Sequence, residues 1–429
     1  MSLFLSRVLG ACLLSVVIAQ PLALAAEPAA GAPLTLHQAV AAALRGNPQL
    51  QTFAFEFRAG DARTQQAGLR PAPEIFVGLE NFAGSGDTRR LDGAEATFAL
   101  SQVIELGGKR DARMGAAQAG RDALDIARQT VQLDVLAEVT RRFIVVAQRQ
   151  QQVQLARSAA ELADKTVVAS ERRVNAAKSP HAELDRARIA RDRFLLAQRL
   201  ALTELDTARK QLAATWGESQ PVIDGEVFGE VKADLFTLPP RSDFAELVAR
   251  LAANPDFLRF ASEARLRDAE LRLAATRRRP DLTLSGGLRR LEATSDQAFV
   301  ASVSIPLFSG RRAGSYIAEA QANRELVDAE RRVAQVKAEA MLYELHRQLV
   351  QAVLEANTLK DDILPRSAEA LKETEYAYER GRYSYLDLVD AQREYLAVQA
   401  SLIEAAANAH TLRAEIERLT NAPLSPLTP

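Results

Sequence analysis

The residues that could carry out acid–base or metal chemistry are few and widely separated in this chain. The 429-residue sequence has four histidines and a single cysteine, Cys12. The run Glu344-Leu345-His346 lacks the second histidine, four positions away, that a helical zinc site would need. We therefore expect no catalytic residues, no metal ligands and no cofactor. We expect all four histidines to lie on helix surfaces: His37, His181, His346 and His410.

The first 26 residues have the pattern of a signal peptide. Arg7 precedes an apolar run from Val8 to Ala19, and small residues supply a cleavage site near Ala26. Cys12 falls before the apolar run is complete, which favours its removal with the signal over lipidation without deciding between them. Once Arg7 is removed, carboxylates outnumber basic side chains by two, which argues against a nucleic-acid partner.

The strongest pattern is an internal duplication at a spacing of about 205 residues. Each half opens with an apolar helix that ends in Asn-Pro, at Asn47-Pro48 and at Asn254-Pro255. Two alternating segments follow, and then a long charged and Ala-rich helical stretch. We assign residues 27–217 and 242–422 to the two repeats. Residues 218–241, rich in Pro and Gly, form the linker between them, and residues 423–429 are expected to be a disordered tail.

Four segments alternate between apolar and polar residues, and each is about the 9 to 11 residues that cross a bilayer as a tilted strand. They lie at 74–82, 95–104, 282–289 and 299–305. After the signal no segment approaches the ~18 apolar residues of a membrane helix, so any insertion must be by strands. An open sheet edge cannot face lipid, which makes an oligomer necessary, and three copies would give a twelve-stranded barrel. Two ordinary surface hairpins remain the alternative.

The helical stretches predict rods longer than a compact domain of this size needs. No proline occurs between Lys109 and Ala177, a stretch of roughly 100 Å at ~1.5 Å per residue. Apolar residues from Leu342 to Ile363 repeat at spacings of three and four, the seam of a coiled coil, and Pro365 should kink or split its helix. The predicted fold class is mainly α with a small β part, in which long antiparallel coiled-coil helices form an α-barrel.

With these features the chain resembles the TolC-like outer membrane efflux proteins over essentially the whole mature sequence. The duplication, the four strands and the stretch from Tyr378 to Gln392 carry the resemblance; that stretch fits the family pattern of Tyr, Gly, a small polar residue, Leu-Asp and Asp-Ala-Gln. The resemblance implies a homotrimer in outer membrane lipid of a Gram-negative bacterium, continued by a helical tunnel through the periplasm. A periplasmic adaptor and an inner-membrane RND-type pump are the implied partners.

The resemblance also bears on the exported substrate. The stretch from Val103 to Arg110, with Ser179-Pro180, looks most like the heavy-metal branch of the cobalt, zinc and cadmium type, whereas Phe308 to Arg312 is common among drug-efflux and secretion members. We expect an exit duct for divalent heavy-metal cations, with a multidrug or type I secretion duct as the alternative. A soluble periplasmic coiled-coil scaffold and an exported enzyme are the alternatives of other classes.

The same resemblance implies two sets of site residues near the helical turns. Asp387 and Asp390 stand where the family places aspartate rings at the periplasmic mouth. The alternative is that they are solvated acids, three positions apart, on the outside of a helix. Tyr378 matches a phenol that ties helices in the closed state, and Tyr383 occupies a position where some members carry an arginine. Adaptor docking is implied at both turns, and Ala177, unlike Gly381, predicts a different backbone shape there. The turn residues are Asn175, Ala177, Ser179, Pro180, Gly381 and Ser384.

Overall fold

The computed structural model describes residues 33–240 and 242–422, so the expected signal peptide, Cys12 and the expected tail lie outside the described residues. The first half contains α1 (Leu36–Gly46), α2 (Pro48–Ala67), β1 (Glu74–Glu80), β2 (Glu95–Ile104), α3 (Lys109–Asn175) and α4 (His181–Ala214). A small strand pair follows, β3 (Val222–Ile223) and β4 (Glu226–Val227). The second half contains α5 (Phe244–Leu251), α6 (Pro255–Thr276), β5 (Leu282–Leu291), β6 (Asp296–Ser304), α7 (Ser309–Thr358), α8 (Leu364–Glu379) and α9 (Tyr385–Thr420).

Local sequence signals set the boundaries of these elements. Thr35 and Gln38 form the predicted capping box at the start of α1. Gly107 and Gly108 adopt left-handed φ values of 77° and 72°, which turns the chain out of β2 so that α3 begins at Lys109, as predicted. None of the helices that the structure describes is long and apolar enough to cross a membrane.

The four long strands form one antiparallel sheet in the order β1-β2-β5-β6. Its register aligns Val77 with Phe98, Phe98 with Leu288 and Leu288 with Phe299, so one apolar row runs across all four strands. This face is open: Val77 is 74% exposed and Phe299 is 91% exposed. The opposite face is polar, and there Arg289 Nη1 lies 2.7 Å from a carboxylate oxygen of Glu95.

The helices continue the sheet as a layer with two free edges. Near the sheet the neighbours run α2-α3-α6-α7, and towards the opposite end they run α4-α3-α9-α8. The elements at one edge are therefore β1, α2 and α4, and those at the other are β6, α7 and α8. Within the described chain, β1 and β6 each pair with one strand only. At the helical turns, Tyr378 of α8 also contacts α3 and α4.

The principal core lies where α1, α3, α4 and α9 meet the segment between the halves. Phe143 and Leu212 are fully buried there. Residues 218–241, predicted only as a linker, also contribute to this core, because Phe228, Val231 and Leu235 are buried. Val231 forms a parallel β-bridge with Leu34. The segment thus pins the two halves together as well as connecting them.

The two halves differ at one helix. In the first half α3 runs unbroken for 67 residues, as the absence of proline predicted. In the second half a π-helical turn at Leu359–Ile363 separates α7 from α8, beside Pro365 as predicted. The extra residue of this turn rotates Ile363 out of the coiled-coil seam. Its side chain is 39% exposed. The prediction that Ile363 completes the seam is therefore wrong, and Leu364 packs in its place.

Candidate functional site at the helical-hairpin turns

The two turns that join α3 to α4 and α8 to α9 have the same backbone geometry. At the first turn the Ala177 N–H donates to the Val174 carbonyl, and the Lys178 N–H donates to the Arg173 carbonyl. At the second turn Gly381 and Arg382 make the same two bonds to Tyr378 and Ala377. This pattern closes a helix with a left-handed residue. Ala177 adopts φ 54° and Gly381 adopts φ 74°. The expectation that alanine would give the first turn a different shape is therefore wrong.

Tyr378 is the centre of a buried contact between the two hairpins. Its side chain is 1% exposed. The phenol donates to the Glu183 carboxylate at 2.6 Å, so the Ser170 hydroxyl, 2.9 Å away, is left to donate to the phenol oxygen. Ser170 lies on α3, Glu183 on α4 and Tyr378 on α8. One phenol thus holds three helices together within a single chain.

Arg173 packs against the ring face of the same tyrosine. Its guanidinium carbon lies 4.5 Å from the centre of the Tyr378 ring, within the range of a cation–π contact. Its Nη1 donates to the Tyr378 backbone carbonyl at 2.6 Å, at the last turn of α8. A cation at this end of a helix also complements the helix dipole. Arg173 therefore fixes the end of α8 as well as the ring.

Burial and the hydrogen bond donated to Glu183 raise the pKa of the Tyr378 phenol to about 12. Loss of the phenol proton would place a second negative charge against the Glu183 carboxylate in a site shielded from water, which is unfavourable. The phenol therefore stays protonated, and donates its hydrogen bond, throughout the physiological pH range.

The predicted gate carboxylates lie at the start of α9 and have different local roles. The Asp387 carboxylate accepts from the Ser384 backbone N–H at 2.8 Å and from the Ser384 hydroxyl at 2.7 Å, which completes a capping box. These bonds lower the Asp387 pKa below its usual value. Asp390 is exposed and lies 3.5 Å from Arg393. Tyr383 lies in the turn and is half exposed.

The structure brings all of the predicted turn residues to two neighbouring turns, and it adds partners that the sequence did not single out. Ser170, Arg173 and Glu183 were missed, although Glu183 follows Pro180 by the same three positions that separate Asp387 from Ser384. This correspondence between the two repeats was the signal that could have identified Glu183. The residues predicted for adaptor docking lie in the turns or at their edges. Asn175 is the last residue of α3, Ala177, Ser179 and Pro180 follow it in the first turn, and Gly381 and Ser384 lie in the second.

One histidine departs from the sequence expectation. His410 is 7% exposed and packs under the segment between the halves, where Nε2 lies 3.1 Å from the Leu235 carbonyl oxygen. The expectation that it lies on a helix surface is therefore wrong. Within residues 33–240 and 242–422 no group of three or more histidine or carboxylate side chains is arranged to hold a metal ion.

The duplicated hairpin, the four-stranded sheet and the paired turns define the class to which this chain belongs. A family model described as outer membrane efflux protein matches residues 39–218 and 247–422. The chain belongs to the outer membrane efflux protein family. This is a family of transporters rather than enzymes, placed in the outer membrane of Gram-negative bacteria and extending into the periplasm.

Two characterised relatives and a solved structure agree with this assignment. The cobalt-zinc-cadmium resistance protein CzcC of Cupriavidus metallidurans is 29% identical, over 85% of this chain and 84% of its own. The nickel and cobalt resistance protein CnrC of the same species is 31% identical, over 71% of this chain and 72% of its own. The outer membrane protein VceC of Vibrio cholerae matches in fold with a TM-score of 0.68 at 18% identity, over 90% of this chain and 95% of its own.

Proposed function

We propose that three copies of this chain form the exit duct of a tripartite efflux system that exports divalent heavy-metal cations. In this assembly the four-stranded sheets close into a twelve-stranded barrel in the outer membrane, and the helices form a tunnel through the periplasm. A periplasmic adaptor docks at the helical turns and couples the duct to an inner-membrane RND-type pump.

The observation that carries the proposal is the form of the sheet. One face exposes an apolar row across all four strands, and the edge strands β1 and β6 each have one open side. Unpaired backbone groups are too costly to leave in lipid, so an apolar-faced sheet with two open edges needs to be closed by further copies. Two copies would give an eight-stranded barrel filled by side chains, whereas three leave room for a conduit.

The choice of substrate rests on the relatives. CzcC and CnrC are named for resistance to cobalt, zinc and cadmium, and to nickel and cobalt. A duct needs no tight site for its substrate, because a conducted ion must also be released. Deleting the gene should sensitise cells to zinc, cadmium, cobalt or nickel more than to antibiotics. Sensitivity to drugs alone would instead favour a multidrug or secretion duct.

The proposed gate is a ring of Asp387 and Asp390 around the periplasmic mouth, with Tyr383 in the adjoining turn and the buried Tyr378 tying the helices behind it. Three copies of the two aspartates would gather six carboxylates around one axis, which attracts cations. Ala177 and Gly381 are exposed in the turns next to the buried Tyr378 contact, and these turns are the docking surface proposed for the adaptor.

The assembly is tested by the mass of the detergent-extracted protein together with its conductance. We expect a trimer that forms ion channels in planar bilayers. A monomer or a dimer would contradict the barrel. Chemical cross-linking before extraction guards against dissociation of the trimer by the detergent.

The carboxylate gate is tested in the same bilayers with the variant Asp387→Asn/Asp390→Asn. Asparagine keeps an oxygen that can accept the capping bonds at Ser384, so the charge is removed while the cap is retained. Wild-type channels should be cation-selective and blocked by multivalent cations from the periplasmic side, and the variant should resist the block. The matched control is Asp361→Asn/Asp362→Asn, two exposed neighbouring acids in the π-helical turn. Equal block in wild type and gate variant would contradict the gate.

A further inference from the structure

A band of cations, most of them exposed, crosses the helical end of the sheet. It is formed by the four junctions between helices and strands, in residues 68–74, 104–113, 277–282 and 305–312. These stretches hold nine basic residues: Arg70, Lys109, Arg110, Arg113, Arg277, Arg278, Arg279, Arg311 and Arg312. Against them stand four carboxylates: Glu74, Glu105, Asp111 and Asp281. We refer to this set of nine as the junction belt.

Contacts between successive junctions make the belt continuous. Arg110 Nε donates to the Gly68 carbonyl at 2.6 Å, which links the end of α2 to the start of α3. Lys109 Nζ lies 2.6 Å from Asp281, which links α3 to the start of β5. The guanidinium carbon of Arg277 lies 4.0 Å from the centre of the Tyr316 ring, which links the end of α6 to α7. The cations therefore follow one line across the layer.

Most of the belt has no carboxylate partner to neutralise it. Ion pairs occupy Lys109 with Asp281 and Arg113 with Glu105. No ion pair within the described chain engages the remaining five exposed arginines that also lack a ring or backbone contact, namely Arg70, Arg278, Arg279, Arg311 and Arg312. A charged group is costly to gather with others of the same sign unless an anion is nearby. The belt thus presents several guanidinium groups to an external partner.

Exposed apolar side chains alternate with these cations. Leu307 is 70% exposed and Phe308 is 77% exposed, a few residues before Arg311 and Arg312, and Leu69 is exposed next to Arg70. Basic and aromatic residues occur together where a protein crosses from lipid into the aqueous interface, because the apolar parts enter the acyl chains and the charges reach the head groups.

The two ends of the sheet differ in charge. The opposite end, residues 80–95 and 289–296, holds four basic residues and six carboxylates. The junction belt is therefore positive by five charges per chain, while the far end is negative by two. Guanidinium groups bind phosphate oxygens through paired hydrogen bonds, so the positive end suits an anionic phosphate head group.

We propose that the junction belt binds anionic phospholipid head groups of the periplasm-facing leaflet and sets how deeply the barrel sits in the membrane. This inference rests on the proposed function, because it requires the sheet to lie in the outer membrane. The partner is a lipid rather than a free anion because the exposed apolar residues lie among the cations.

The test is lipid retention by the purified channel, measured by native mass spectrometry with phosphatidylglycerol and phosphatidylcholine of identical acyl chains. Wild-type protein should retain phosphatidylglycerol in preference. The variants Arg278→Gln/Arg279→Gln and Arg311→Gln/Arg312→Gln should lose affinity by about fivefold for each charge removed near the head groups. The matched control is Arg331→Gln/Arg332→Gln, an exposed arginine pair about 30 Å further along α7.

Several results would overturn the proposal. Equal retention of the two lipids by the wild type would do so, as would equal loss in the control and the belt variants. Displacement of phosphatidylglycerol by inorganic phosphate beyond the effect of sodium chloride at the same ionic strength would assign the belt to a free phosphate instead. Lysine variants, Arg311→Lys/Arg312→Lys, should retain the preference, which separates loss of charge from loss of fold. Mass and conductance of the same samples separate failure of this inference from failure of the trimeric channel.

Discussion

At the scale of single residues, the contact around Tyr378 shows how the two halves are joined below the core. The tyrosine has no counterpart in the first half, where the equivalent position 204 residues earlier is Val174. Its phenol meets Glu183, which is the first-half counterpart of the capping residue Asp387. One half therefore uses this carboxylate for a contact between hairpins, whereas the other uses it to begin a helix.

Replacing Tyr378 with phenylalanine tests that contact. The ring and its packing remain, but the Glu183 carboxylate and the Ser170 hydroxyl lose their partner, which should cost about 2 kcal/mol in the free energy of unfolding. Chemical denaturation measures the difference. Tyr376→Phe, an exposed tyrosine on the same helix, should change stability very little.

The pH dependence of the same pair gives a second, independent prediction. The folded-state pKa of Tyr378, about 12, lies above the ordinary value of 10.0. The phenol therefore contributes stability that is complete below pH 10.0 and is lost as the pH rises towards 12. The gap in stability between wild type and Tyr378→Phe should narrow over that window. A stability difference that stays constant up to the highest pH of this window would contradict the raised pKa of Tyr378.

At the scale of elements, the two hairpin turns share one backbone shape but place different residues in the left-handed position. Ala177 adopts φ 54° at a cost in strain, whereas Gly381 adopts φ 74° without a Cβ. A Cβ at Gly381 would meet only Arg173 Nη1, at 3.8 Å, so there is room for a side chain and the conformation decides the preference.

The exchange of these residues should have opposite effects. Ala177→Gly relieves the strain and should stabilise the protein by about 0.5–1 kcal/mol, while Gly381→Ala introduces it and should destabilise by a similar amount. Thermal unfolding of the two variants measures both. The same sign in both variants would show that the two turns are not conformationally equivalent in solution.

The segment between the halves is fastened to α9 by His410. Burial lowers the His410 pKa, and Arg413 on the same helix acts in the same direction, while Asp234 and the bond to Leu235 oppose them. An imidazole held neutral in the folded protein contributes stability that is present above its ordinary pKa of 6.5 and is lost as the pH falls through the lower folded value. Lowering the pH below 6.5 should therefore weaken the attachment of this segment to α9.

His410→Gln keeps a donor for the Leu235 carbonyl but cannot be protonated. Its melting temperature should therefore fall less than that of the wild type between neutral and acidic pH. His181→Gln, at an exposed histidine, should follow the wild type. Parallel pH profiles for wild type and His410→Gln would exclude His410 as the source of acid sensitivity.

At the scale of the whole molecule, the register of the sheet decides which of its faces would meet lipid in the proposed barrel. Leu100 and Ser101 are adjacent on β2 and point to opposite faces, the first towards the apolar row and the second towards Ser285. Arginine at a lipid-facing position near the middle of a membrane strand costs about 2–4 kcal/mol. Leu100→Arg should therefore reduce insertion into liposomes strongly, and Ser101→Arg should reduce it little. Equal insertion of both variants would contradict the assigned lipid face.

Much of this fold follows from the sequence because its signals are local. Alternation at period two gave β2 at residues 95–104, a proline-free run gave α3, and Gly107-Gly108 gave the helix start at Lys109. Capping residues and glycines act through bonds to their immediate neighbours, so their effects can be read without knowing the fold.

Tertiary structure alone decided which distant residues meet. Tyr378 contacts Ser170 and Glu183 across a separation of about two hundred residues, a pairing that depends on how the hairpins pack and not on any nearby residue. The left-handed conformation of Ala177 is imposed by the closure of its hairpin against the intrinsic preference of alanine. His410 is buried because the segment that carries Leu235 folds over it, whereas the sequence analysis expected a histidine on a helix surface. The sequence determined where each element begins and ends, and packing determined what each side chain faces, because burial and contact depend on the arrangement of the whole chain.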